Sequence, residues 1–233
     1  MNISDFEYIK KFPSLISDEG TGDVRLRELD WLMPQIGDWG LNLEFGVFNG
    51  YTINHAAWLR ADLDFIGFDS FEGLPEDMDT GEKLVPATAF DREGVPPEVE
   101  PNVKLVKGWF DESIPAWLEE LDDEESDWHH SVKAREKKIS YLNLDADIYS
   151  STSTVLNLIN DMIVPGTMIR FDELSCWRYV FHEANPKNVQ RVYFTNWKEH
   201  EWKAMNEWLE KFDRKVIPVC RNWHQSATVM VTQ

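Results

Sequence analysis

Five carboxylates stand at or near the ends of short apolar runs: Glu44, Asp69, Asp145, Asp172 and Glu173. Glu44 opens the stretch Glu44-Phe45-Gly46-Val47-Phe48-Asn49-Gly50-Tyr51-Thr52. A glycine turn after a strand lets a ligand approach the backbone and aims a helix N-terminus at it. The pattern E-x-G-x-x-x-G is looser than the dinucleotide fingerprint, and a plain tight β–α turn would look the same. Asp69 follows about 25 residues later, where an acid can accept hydrogen bonds from both hydroxyls of a ribose. Phe68 and Phe71 are placed to flank an adenine ring, and a turn cap is the plain alternative for Asp69. Lys107-Gly108-Trp109-Phe110 adds another glycine for close approach to the same ligand, or two core aromatics. Asp145-Ala146-Asp147 and Asp172-Glu173 end two further runs. If those runs are neighbouring strands, Asp145, Asp172 and Glu173 converge. Carboxylates without thiolates favour a hard cation such as Mg²⁺ or Mn²⁺. Mutual repulsion otherwise demands protonation, and helix capping by Asp147 or Ser150 is the structural alternative.

Positioning these groups requires alternating strands and helices. Strands are expected at 41–47, 63–68, 103–106, 139–144 and 167–171. Helices are expected at 24–33, 51–60 and 151–163, the last ended by Pro165-Gly166, with another near 197–212. A further helix begins near Ser113 with Pro115 in its first turn. Its Ile114, Trp117, Leu118 and Leu121 share one face. Two β segments, 215–219 and 227–231, have no room for a helix between them and form an antiparallel edge. The expected fold is therefore α/β, a Rossmann-like, mostly parallel sheet with helices on both faces. Ligands bind such sheets beyond the carboxyl ends of the strands. Residues 1–22 read as an irregular leader and 23–233 as one domain. Residues 70–101 form a long lid-like loop, and 119–138 a charged insert.

Composition sets limits. Across 233 residues, 23 Lys and Arg face 42 Asp and Glu, a formal net charge of −19. That balance opposes non-specific binding to nucleic acid or an anionic membrane surface. No apolar run is long enough to span a membrane, and residues 1–20 lack the apolar core of a signal peptide. Cys176 and Cys220 are far apart, with no CxxC or zinc spacing, which fits a reducing, cytoplasmic compartment. Most of the eleven tryptophans are expected in the core or the cleft wall. The sequence leaves a homo-oligomer open.

Five stretches then carry a family resemblance: Leu43–Gly50 (LEFGVFNG), Phe68–Pro75 (FDSFEGLP), Val106–Phe110 (VKGWF), Leu144–Thr152 (LDADIYSST) and Pro165–Leu174 (PGTMIRFDEL). The chain resembles class I S-adenosylmethionine-dependent methyltransferases, and more closely the macrocin-type sugar O-methyltransferases, from about Leu41 onward. The resemblance implies seven strands and an activity on the hydroxyl of a sugar or other small molecule. It implies that Glu44, Gly46, Asn49, Gly50 and Thr52, with Phe45 in the same turn, cradle the methionine part of the cofactor. Asp69 would hold the ribose, with Ser70, Phe71, Gly108 and Trp109 about the adenosine. Asp145, Asp172 and Glu173 match the family's metal ligands, and the metal would hold and acidify the acceptor hydroxyl. The family's loop histidine has no counterpart, since no His lies between His55 and His129. Candidates for the base are Asp91, Glu82, metal-bound Asp145, or His182 and His224 folding back. Trp177, Tyr179, Phe181, Tyr193 and Trp197 are candidates to stack on a sugar. Two other readings compete: a glycosyltransferase using Asp145-Ala146-Asp147 as a D-x-D, and a non-catalytic binding module.

Overall fold

The computed structural model describes residues 24–128, 137–174, 195–222 and 225–233. Its elements in chain order are α1 (Val24–Leu32), β1 (Leu41–Phe45), α2 (Tyr51–Leu59), β2 (Phe65–Asp69), β3 (Met78–Asp79), β4 (Leu84–Val85), β5 (Val103–Lys107), α3 (Phe110–Asp122), β6 (Ile139–Leu144), α4 (Tyr149–Leu158), β7 (Ile163–Phe171), α5 (Glu201–Lys211), β8 (Val216–Arg221) and β9 (Ala227–Val231). Seven strands form one sheet in the order β5-β2-β1-β6-β7-β9-β8. Its first five strands run parallel, and β9 pairs antiparallel with both β7 and β8. The strand order reverses between β1 and β6, which opens a crevice at their carboxyl ends.

Both faces of the sheet are covered. On one side Leu41, Leu43 and Phe45 join the side chains of α3, α4 and α5 in a core that includes Trp117 and Trp208. On the other, α1 and α2 pack Leu29, Leu32 and Ile53 against Phe65 and Tyr141. Alternation along β1 sends Asn42 and Glu44 to this second side, where they are buried all the same. The seven acids of 119–127 are all exposed, so this run is a solvated helix end.

Several boundaries differ from the periodicity reading. Helix α3 starts at Phe110, not near Ser113. Asp111 and Glu112 occupy its first turn, where carboxylates favour the positive end of the helix. Pro115 thus falls inside the helix, where its missing N–H leaves the Asp111 carbonyl without a helical donor. Pro165-Gly166 does not stop a helix; α4 ends at Leu158 and the pair lies within β7. The ladder slips there, from Ile139 opposite Ile163 to Tyr141 opposite Met168. A bulge of this kind tolerates proline in a sheet. Thr167 Oγ1 bridges it, accepting from the Val164 N–H at 3.0 Å and donating to the Ile139 carbonyl at 2.6 Å. Within 70–101 lies a short hairpin, Met78–Asp79 against Leu84–Val85.

Candidate active site

Where the strand order reverses, a cleft of about 840 Å³ opens. Its floor is the turn after β1. Gly46 has φ +92°, and a Cβ there would lie 1.8 Å from the Asp145 carbonyl oxygen. Only glycine lets the turns after β1 and β6 pass this closely. Gly50, at φ 75°, caps α2, and Thr52 follows in the first turn with its side chain at the cleft.

Asp69 braces this turn. Its Oδ2 accepts from the Val47 and Phe48 N–H groups at 2.8 and 2.7 Å, and its Oδ1 from the Phe71 N–H at 2.7 Å. A carboxylate has about four acceptor positions, so capacity remains on the cleft side, where Asp69 contributes to the lining. Gly46, Asn49, Thr52, Ser70, Gly108 and Trp109 line the same space.

Five residues expected at the ligand do not line the cleft. Phe45 is wholly buried and stacks on Phe68, with ring centroids 4.6 Å apart. Phe71 is wholly buried in the α1–α2 core. Neither Phe68 nor Phe71 can therefore flank an adenine; among the described residues the aromatic rings at the cleft belong to Phe48, Tyr51, Phe90, Trp109 and Phe110. Phe48 and Phe90 meet edge to face at 5.4 Å. Gly50 acts as a helix cap and is not part of the wall. Glu44 lies beneath the floor. Its Oε1 accepts from Thr52 Oγ1 at 2.8 Å and its Oε2 from Asn143 Nδ2 at 2.9 Å. Burial pushes its pKa from 4.5 to about 7, against the lowering effect of those two bonds.

Asp91 is exposed and bonds the Glu93 N–H at 2.7 Å, apart from the cleft wall. Glu82 is also exposed and outside the cleft wall. His182 and His224 lie outside the described residues, as do Trp177, Tyr179, Phe181 and Tyr193. Trp197 is core, packed on Trp202 at 5.4 Å.

The acids converge with one exchange. Asp145, Asp147 and Glu173 bring carboxylate oxygens within 4.8 Å of one another. Asp172 lines the cleft but is engaged by Arg170, whose Nη2 donates to it at 2.6 Å. Asp147 takes its place in the trio, from a left-handed backbone at φ 60°. Burial first, then repulsion from Asp172 and Asp147, pushes the Asp145 carboxyl far up. Burial and Asp172 raise Asp147 to about 7. The trio fits a hard divalent cation, since every donor is a carboxylate oxygen and Glu173 Oε2 is buried with no hydrogen-bond partner.

Beneath the cleft runs a polar row that the sequence reading missed. Glu44, Asn143, Arg170 and Thr228 stand opposite one another on β1, β6, β7 and β9. Arg170 is wholly buried. Besides Asp172, it donates to Asn143 Oδ1 at 2.8 Å and to Glu28 Oε2 of α1 at 3.2 Å. Glu28 also accepts from Ser226 Oγ. The available signal was an asparagine and an arginine inside runs otherwise apolar enough for buried strands.

Comparison with solved structures places the fold. CalS11, a calicheamicin methyltransferase, superposes with a TM-score of 0.59 at 24% identity, covering 88% of this chain and 77% of that one. Its apo form, described as a TDP-rhamnose 3'-O-methyltransferase, gives 0.54 at 22% identity over 88% and 78% of the two chains. The O-methyltransferase NovP gives 0.54 at 16% identity over 98% and 95%. Likeness at these identities is one of fold, and the fold is that of class I methyltransferases. No protein-family model matches the chain, and neither does any curated protein.

Proposed function

We propose that this protein is an S-adenosylmethionine-dependent O-methyltransferase that acts on a hydroxyl of a sugar-like small molecule with the help of a divalent cation. The observation that carries this is the meeting, in one cleft, of the Asp69-braced glycine turn with the acidic trio. The sugar-directed activity named for CalS11 agrees with it.

In this reading Asp69 accepts a ribose hydroxyl at its remaining position, and the backbone around Gly46 and Asn49 receives the amino-acid end. Glu44 acts from below by fixing Thr52. Phe48, Phe90 and Trp109 close around the apolar parts of the ligands and exclude water. Asp145, Asp147 and Glu173 hold Mg²⁺ or Mn²⁺, and Asp145 takes the proton of the acceptor hydroxyl. When bound, the cofactor supplies an electrophilic methyl on a sulfonium and the cation supplies Lewis acidity toward the acceptor oxygen. Two positive ligands suit a cleft this rich in carboxylates.

Calorimetry with S-adenosylhomocysteine tests the cofactor assignment, with binding expected for the native chain and lost in Asp69→Ala. Asp145→Asn should keep cofactor binding and lose methyl transfer to an acceptor such as TDP-rhamnose. One feature favours a second reading: both acids of Asp145-Ala146-Asp147 face the same point, as a metal-dependent glycosyltransferase would require. Selective binding of a UDP- or GDP-sugar, with none of S-adenosylhomocysteine, would replace the first reading with the second.

A further inference from the structure

Glu173 is held from two directions by residues far away in the chain. Its main-chain N–H donates to Glu201 Oε2 at 2.9 Å. Its Oε1 accepts from Gln225 Nε2 at 2.7 Å. Glu201 is the first residue of α5 and is wholly buried. Gln225 lies between β8 and β9, and its own main chain is tied to Asn222. Asn222 Oδ1 accepts from the Gln225 and Ser226 N–H groups at 3.0 and 3.2 Å. One oxygen of Glu173 is therefore occupied by a neutral amide that cannot take its proton, and the backbone behind it is locked. The other oxygen, Oε2, is buried without a hydrogen-bond partner and belongs to a residue that converges with Asp145 and Asp147.

We infer that Gln225 and Glu201 are positioning residues that hold Glu173 with its Oε2 presented to a divalent cation. The inference rests on the cation reading of the trio and extends it to two residues outside it. A carboxylate left to rotate would share its oxygens between solvent and neighbours. Fixing one oxygen and the main chain orients the second, which is how outer groups tune a metal ligand. A glutamine suits the role because its amide donates to a carboxylate without adding charge. The arrangement also draws the C-terminal hairpin into the cleft, where Asn222 and Gln225 form part of the wall.

Mn²⁺ titration of the full chain, followed by the electron paramagnetic resonance signal of free Mn²⁺, tests this without turnover. Gln225→Leu keeps side-chain bulk and removes the donor; Glu201→Ala removes the acceptor for the Glu173 N–H. Each is expected to weaken Mn²⁺ binding about 10- to 100-fold, with Gln225→Leu unchanged in thermal midpoint when chelator is present. Native affinity in Gln225→Leu, while Asp145→Asn abolishes binding, would overturn the inference and leave the cation reading intact. An affinity loss matched by an equal stability loss in chelator would also overturn it, by making Gln225 a structural strut. No Mn²⁺ binding by the native chain would remove the cation reading and this inference together. If Glu201→Ala does not fold, Gln225→Leu decides the matter alone.

Discussion

Replacing Glu44 by Gln tests a buried acid whose ionisation falls near neutral pH and which lies outside the acidic trio. The side chain is 3% exposed, and its pKa rises from 4.5 to about 7 on folding. Below pH 4.5 both folded and unfolded chains carry the proton, and the group does not affect the balance. Between 4.5 and 7 the unfolded chain ionises while the folded one does not, so stability falls as pH rises. Above 7 the loss is complete. At about 1.36 kcal/mol per pH unit, the gap corresponds to about 3 kcal/mol. The glutamine variant has no such proton. Its amide can turn the oxygen to Asn143 Nδ2 and the nitrogen to Thr52 Oγ1, a hydroxyl that also accepts. Any residual change in hydrogen-bond strength is independent of pH. Urea unfolding of both proteins from pH 4.5 to 8 separates the two effects. The difference, variant minus native, should grow by about 3 kcal/mol across the window. Parallel curves would mean that Glu44 ionises in the fold as it does in water, and the reasoning from burial would fail.

Two more outcomes follow from the same region. Arg170→Met strands the carboxylates of Glu28 and Asp172 in the interior, and should cost about 3–5 kcal/mol in urea unfolding; a loss under about 1 kcal/mol would show that these groups find other partners. Gly46→Ala drives a methyl into the Asp145 carbonyl, 1.8 Å away, and forces apart the turns after β1 and β6. Calorimetry should find S-adenosylhomocysteine binding lost and the thermal midpoint lowered, whereas native binding would show that the close crossing is not needed.

Much of the site was readable in one dimension. The acids at Asp69, Asp145 and Asp172-Glu173 stand out because apolar runs end beside them, and parallel topology sends all such ends to one side. Gly46 and Gly50 were legible because tight turns and close approaches tolerate little else. The aromatics were not. Phe68 and Phe71 sit beside the right acid, yet the pleat and a left-handed backbone at Phe71, φ 57°, turn both into the core. Phe48 and Phe90, 42 positions apart in sequence, meet at the cleft only because the 70–101 segment folds back over the β1 turn.

Local chemistry, then, settles where strands end, which turns need glycine and which acids are available to a ligand, because those depend on neighbours a few residues away. Which acids act together is settled elsewhere. By sequence Asp172 is the expected ligand and Asp147 a helix cap. Strand register sets Arg170 beside Asn143 and within reach of Glu28, and its remaining nitrogen, Nη2, takes Asp172. A buried guanidinium must be neutralised by nearby carboxylates, and so Asp147 is the acid left to face Asp145 and Glu173. Glu201 and Gln225 enter on the same terms, carried to Glu173 by α5 and the C-terminal hairpin across 28 and 52 positions of chain. Hydrogen bonds act over about 3 Å, and only the folded chain brings such distant residues that close.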